Sequence, residues 1–271
     1  MSGALPSPRA AAALVAAGFR RYATYRQATL AGAFTNTVFG VVKVSILFAA
    51  AETAGGVVAG YDRAALSTYT WLSQGLIAVV WVFTWTPVVQ RVRSGDVAID
   101  LARPVHPVAV WLAEDLGRAS QACLVRFAGP LVVGGLIFGL RVPERPATLP
   151  LFAVSVVLAV AVSFGCRLLV SLVAFWLIDV RGLLTLYVVV SNVLCGLLVP
   201  VPFFPGWLRT AAYATPFPSM LQTPVDVAVE RMSAVDAAVA VSVQAAWAAV
   251  LLAAVVTVLA RGTRRLVVQG G

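Results

Sequence analysis

The sequence predicts an all-α polytopic membrane protein, and three observations carry that prediction. Hydrophobic residues make up 61% of the 271-residue chain and charged residues only 11%, against roughly 45–50% apolar and 25% charged in soluble globular domains. The mean hydropathy is +0.92. The apolar residues fall into six long stretches, near the ~20 residues that a helix needs to cross a bilayer, and the arginines gather in loops on one side of them. Six transmembrane helices and their loops use up nearly the whole chain, so one domain over 1–271 is expected. It divides into an amphipathic N-terminal segment (1–28), six spans (29–260) and a cytoplasmic tail (261–271), with no room for a soluble catalytic domain.

The opening segment, Arg9 to Gln27, mixes Leu14, Phe19, Tyr22 and Tyr25 with Arg20, Arg21 and Arg26, a composition suited to a helix in the headgroup region with its arginines reaching outward. It has no long apolar core or cleavage site of a secretory signal, so the first span is expected to direct insertion. That span runs from Thr29 to Ala51, and after a loop through Gly55, Gly56, Gly60, Asp62 and Arg63 the second runs from Ser67 to Val89, with Trp71, Trp81 and Trp85 as interfacial or packing aromatics. Gln90 to Arg118 is the longest charged segment and reads as a structured loop divided at Pro104 and Pro107. The third span, Ala119 to Leu140, carries Gly135 and Gly139 one helical turn apart, the spacing of a close helix contact.

The fourth span is read from Leu149 to Ile178, and Asp179-Val-Arg181 turns it tightly into a fifth, Leu183 to Val199. Pro200 to Glu230 is apolar but interrupted by six prolines, so no part of it can cross as a continuous helix. Short re-entrant or surface-lying helices between spans five and six satisfy its backbone. The sixth span, Val235 to Ala260, ends at Arg261, Arg264 and Arg265. With both termini cytoplasmic, twelve arginines lie inside and five outside (Arg63, Arg141, Arg145, Arg209 and Arg231), leaving aside Arg126 and Arg167 in or at the edge of spans, which favours that orientation.

Several activities are excluded or disfavoured by what the motifs lack. A phosphate-binding loop needs a lysine after glycine, whereas the sole lysine, Lys43, sits in a span as Val42-Lys43-Val44. The chain has no zinc-protease or nucleophile-elbow motif, and its single histidine, His106, stands beside Pro107 with no nucleophile to serve. Cys123, Cys166 and Cys195 lie in apolar stretches without C-x-x-C spacing, so packing is expected of them and no metal site. The net charge of +9 flanks spans rather than covering a polar face, which argues against nucleic acid.

Between the second and third spans, Ser94 or Asp96 can cap a short helix that Pro104 ends. Val97, Leu101 and Pro104 can face one way, with Asp100 and Arg103 on another face. The pattern fits either a plain surface helix or a docking element offering a partner an apolar knob and charges.

The order of several loose motifs resembles a known group across nearly the full chain. They are Gly60-Tyr-Asp-Arg-Ala-Ala-Leu-Ser-Thr-Tyr69, Arg93-Ser-Gly-Asp96 with Leu101-Ala-Arg-Pro104, and Phe175-Trp-Leu-Ile-Asp179, followed by Phe204-Pro-Gly-Trp-Leu208, Pro216-Phe217, Pro224 and the ending Arg264 to Gly271. In these the chain looks like a permease subunit of the ATP-binding-cassette type-2 exporter class, the six-span group found as paired, non-identical permeases with a separate ATPase. The resemblance implies an N-terminal elbow helix and a cytoplasmic coupling helix formed by Asp96, Val97, Asp100, Leu101, Arg103 and Pro104 that docks on the ATPase. It also implies re-entrant extracellular helices around Phe204, Pro205, Trp207, Pro216, Phe217 and Pro224. The implied partners are an ATPase subunit in two copies, a second permease and membrane lipid. ATP and magnesium would be used by the ATPase, with no cofactor on this chain.

Inside the bilayer Lys43 and Arg167 are costly, about 2.5–3.5 kcal/mol each at a span centre. Arg167 is expected either to face a polar seam or an acidic group on another chain, or simply to pack in the bundle, and Lys43 to snorkel. Gln74, Ser191, Asn192 and Gln244 can line a path or join helices by hydrogen bonds. The alternative to an ATP-driven permease is an ion-gradient-driven transporter or channel, which normally needs an intramembrane carboxylate. Glu52, Glu114, Asp115 and Asp179 are all read at span ends, against that alternative. A passage between apolar helices suits amphiphiles, an inference from class alone.

Overall fold

The computed structural model describes residues 4–24, 26–83, 87–177 and 179–265. The expected interfacial residues Tyr25 and Trp85, the side chain of Arg26, the end of the fourth stretch at Ile178 and the tail beyond Arg265 lie outside this description. Among the described residues the regular elements are helices. They are α1 (Pro8–Ala23), α2 (Arg26–Thr53), α3 (Arg63–Leu76), α4 (Pro87–Ser94), α5 (Val97–Leu101), α6 (Pro107–Ala122), α7 (Ala128–Ile137), α8 (Thr148–Leu172), α9 (Arg181–Leu194), α10 (Gly206–Tyr213), α11 (Gln222–Ala228) and α12 (Ala234–Thr263).

Four helical runs are long and apolar enough to cross a membrane: Thr29–Thr53, Pro107–Ile137, Thr148–Phe175 and Ala234–Thr263. The second of these joins α6 to α7 through a π turn, Cys123–Phe127, and α3 continues into a π turn of its own, Ile77–Trp81. α9 is apolar but shorter, 14 residues.

The boundaries differ from the sequence reading in ways that have local causes. The second span does not continue to Val89: Trp81 has φ 58°, a left-handed conformation that stops a helix, and α4 starts afresh at Pro87. The third helix begins at Pro107, not Ala119, because proline suits a first helical position. Within it Arg118 pairs with Asp115 at 2.7 Å, so these two charges are accommodated inside a continuous helix. Gly139 does not form a helical pair with Gly135. It has φ +73° and lies past the end of α7. The fifth helix stops at Leu194, and Gly196 at φ +86° turns the chain away before Val199.

α3 is the hub. Every residue from Ala65 to Leu76 is buried, and its hydroxyls find partners nearby. Thr68 and Thr70 donate to the carbonyls of Ala64 and Leu66, while Ser67 donates to Gly139 O at 2.7 Å. Trp71, fully buried, is seated between α2 and α7 at two glycines. A Cβ at Gly40 would come within 2.6 Å of its ring, and one at Gly134 within 2.2 Å. The useful glycine of this helix is therefore Gly134.

α1 runs alongside α6 in the same direction. A parallel bridge joins Ala4 to Val105 at the start, and farther on Gly18 and Gly117 bring the two backbones together. Ser7 caps α1 by accepting from the amide of Ala10, and Arg9, Arg20 and Arg21 remain exposed. On the far side α8 packs on α12. Gln244 binds the carbonyls of Ser155 (2.9 Å) and Ser219 (2.7 Å), as a helix-joining residue should.

Candidate functional site

Three regions bring together side chains that the sequence singles out. The first is α5. Gly95 at φ +83° turns the chain out of α4, and Asp96 stands at the N-cap, although its carboxylate accepts from Ser94 Oγ (2.7 Å) rather than from the helix amides. Val97 points inward and is fully buried in a core with Val88, Trp111, Leu168 and Leu259, and Leu101 packs against the same core. Asp100 is buried too, its carboxylate accepting from Arg91 at 2.6 Å with Arg103 at 3.9 Å. The expected apolar face of Val97 and Leu101 is therefore the attachment of α5 to its own bundle. What it exposes is Ile99, at 62% of its surface, with Asp96, Arg103 and Pro104 around it. Proline-bounded segments alone did not reveal which face turned outward, because burial of Val97 depends on α8 and α12, far away in sequence.

His106 has an extended backbone at the start of α6 and donates its amide to Ala4 O at 3.1 Å, a structural position. Beside α5, Asp179 reaches Arg93 at 3.7 Å and accepts from Arg181. Hydrogen bonds from the Arg181 side chain and amide hold its carboxyl down at about 2, so this hairpin stays charged at physiological pH.

The second region is a groove of about 490 Å³ between α2, α3 and the end of α9. Lys43, Gln74 and Asn192 all line it; Arg167 does not. Lys43 does not snorkel: its ammonium donates inward to Leu197 O (2.7 Å) and Ser73 Oγ (3.1 Å) and lies 5.0 Å from the Tyr69 ring centre. Asn36 donates to the carbonyl of Gln74 at 3.1 Å, and the side-chain oxygen of Asn192 is buried without a partner. Phe39, Val42, Ile46 and Leu198 form an exposed apolar rim.

The third region joins the short helices α10 and α11 to the bundle. Gln222 accepts the amide of Val201 (2.9 Å) and donates to Tyr61 Oη (2.8 Å), and Tyr61 donates to Asp226. Tyr69 Oη stands 2.7 Å from Gly196 O and 2.8 Å from Gln222 Oε1. Its single proton serves one of the two. Arg231 completes the network with two 2.9 Å bonds to Asp226. Pro216, Phe217 and Pro224 lie in the packed part of this segment, while Trp207 is 74% exposed on α10, with Phe204 and Pro205 leading into it. Near its end Glu230 is held below the usual carboxylate range by hydrogen bonds from Thr148 (2.6 Å) and the Arg145 amide (2.8 Å).

Arg167 turns out to have an acidic partner on its own chain. Its guanidinium meets Asp115 at 2.7 Å, completely buried, and the second carboxylate oxygen takes Arg118 at 2.7 Å. Asp115 is thus buried eight residues into a long helix rather than at a span end. The i,i+3 spacing of Asp115 and Arg118 was the signal available in the sequence.

A bundle of helices of which four are long and apolar enough to cross a bilayer is the architecture of a multi-pass membrane protein. The profile described as ABC-2 family transporter protein matches residues 37–270, and the chain belongs to that family. It matches no curated protein and no solved structure.

Proposed function

We propose that this chain is the permease subunit of an ATP-driven exporter in the cell membrane, coupled to a separate ATPase through α5. Membership of the ABC-2 family supports an ATPase partner in general. The observation that carries the coupling is the mounting of α5. Buried Val97 and the Asp100–Arg91 pair fix it firmly to the bundle, while Ile99, Asp96 and Arg103 face outward, so force applied at Ile99 reaches α4 and α6. A rigidly attached knob transmits displacement; a loosely attached one would absorb it.

In this reading six helices cross the membrane, the four long runs together with α3 and its π turn and α9 with the residues after it. Both termini and α5 are cytoplasmic, and α10 and α11 are re-entrant on the outer side. Two ATPase copies hydrolyse magnesium-bound ATP. The Lys43 groove forms this subunit's half of a passage shared with a second, non-identical permease, since its apolar rim is open on one side.

Buried Asp115 is the feature that would favour the gradient-driven alternative. Both of its oxygens are committed to arginines, which leaves no vacancy for a transported cation. The test of the leading reading is Ile99→Asp and Arg103→Gln: Ile99 lies outside the core, and Arg103→Gln gives up only the 3.9 Å approach to Asp100, which keeps its bond from Arg91. Both are expected to insert normally and to lose at least about 10-fold in ATPase recovery and transport. Full co-purification of a stimulated ATPase with both variants rejects docking at α5, and transport abolished by a protonophore but indifferent to ATP depletion rejects the ATP-driven reading.

A further inference from the structure

Three arginines, Arg118, Arg126 and Arg167, come into the neighbourhood of the two π turns, and one carboxylate, Asp115, answers them. That carboxylate is fully used by Arg167 and Arg118. Arg118 spends its remaining donors on the carbonyls of Ala78 (2.7 Å) and Val79 (3.0 Å). Arg126 has no such provision: among the described residues no carboxylate pairs with it, and its Nε is buried without a hydrogen-bond partner. A guanidinium cannot shed its charge, so in an apolar setting it demands an anion.

A cavity of about 200 Å³ opens beside it, lined by Tyr22, Thr29, Trp81, Arg118, Gln121 and Arg126. Its position relative to the apolar helices is defined by Gly32, since a Cβ there would come within 2.1 Å of the Arg126 guanidinium. Gly32 lies one helical turn inside the start of the apolar run at Thr29. The cavity is thus level with the boundary between headgroups and acyl chains, where tryptophan and tyrosine are favoured. Leu124 and Val125, from the same π turn, are 68% and 41% exposed, and Leu30 is 65% exposed, so apolar chains have a surface to follow away from the cavity.

We propose that this cavity binds the phosphate of an anionic phospholipid, with Arg126 as its charged ligand. A guanidinium offers paired donors to phosphate oxygens, and the polar residues Gln121 and Tyr22 line the same cavity. Basic pockets between helices near a membrane surface hold lipid headgroups in this manner. A soluble phosphate would satisfy the charge but not use the exposed Leu124, Val125 and Leu30 surface, which is why the lipid is the occupant proposed.

The test uses the full chain with whatever subunits accompany it, purified in mild detergent and exchanged into phosphatidylcholine nanodiscs with or without phosphatidylglycerol. Native mass spectrometry is expected to find phosphatidylglycerol retained, with thermal stability rising as its fraction rises. Arg126→Gln should lower retention at least about 10-fold, the effect of losing about 1.4 kcal/mol of binding, and Gly32→Ala should lower it by crowding the guanidinium. Arg20→Gln, exposed on α1 away from the cavity lining, should retain lipid as the parent does. Should Arg126→Gln fail to fold, Gly32→Ala and Arg126→Lys carry the comparison. Equal retention in the Arg126 and Gly32 variants, equal preference for phosphatidylcholine, or stabilisation by millimolar inorganic phosphate as great as by the lipid each overturns the proposal.

Discussion

Asp115 is the most consequential single residue in the interior. Its two oxygens pair with Arg118 and Arg167 at 2.7 Å each, one negative charge between two positive ones, and all three side chains are nearly inaccessible. Substituting Asp115→Asn would leave two buried guanidiniums sharing a neutral amide, and breaking buried pairs in this way costs about 3–5 kcal/mol. The expected outcome is a large fall in thermal stability in detergent, with a partial return when Arg167→Met is added so that only Arg118 must be answered. An Asp115→Asn protein as stable as its parent would show that the carboxylate is not needed to hold these charges. Arg167 was legible from the sequence as a costly residue; its partner was not, because Asp115 lies 52 positions away in a segment whose charges read as a loop. Lys43 shows the same limit. Its acceptors are Ser73 and the carbonyl of Leu197, and nothing short of the folded bundle brings residues 154 apart into contact.

Elements were legible where one apolar stretch made one helix, as for α2, α8 and α12, and obscured where helices changed character midway. The two π turns and the positive φ of Trp81 leave no mark on the apolar pattern of the stretches that contain them. The α1–α6 contact is the clearest test at this scale. A Cβ at Gly117 would lie 2.1 Å from Val15 O, and one at Gly18 would lie 2.4 Å from Glu114 O. These are backbone atoms, which cannot rotate aside as a side-chain tip can. Gly117→Ala is therefore expected to destabilise by about 1–3 kcal/mol and to expose α1 to limited proteolysis. The contrasting variant is Gly182→Ala in α9, where an added Cβ meets nothing within 4 Å and removing helical glycine is worth about 0.5–1 kcal/mol of stabilisation. Equal behaviour of the two variants would remove the close approach of α1 and α6 as an explanation.

For the whole molecule, hydropathy and arginine distribution conveyed the membrane class and the order of the apolar runs, and the family match over residues 37–270 agrees with the class. The face of α5 turned outward could not be read so early, since Val97 is buried by parts of the chain that arrive later. Orientation yields a direct prediction. With Cys123, the one exposed native thiol, replaced by alanine, Trp207→Cys is expected to react with an impermeant maleimide in intact cells, and Ser94→Cys only after permeabilisation. Labelling of Ser94→Cys in intact cells would put α5 on the exterior and remove it from any cytosolic engine.

The π turns Ile77–Trp81 and Cys123–Phe127 stand side by side, on neighbouring helices, and Arg118 caps carbonyls in the first of them. Flexing is easiest where a helical hydrogen-bond ladder is already interrupted. At this level the two helices can bend together by lengthening guanidinium–carbonyl bonds, without breaking their regular rungs. On the proposed docking at α5, a push arriving there would be taken up at these two turns before it reached the Trp71 joint.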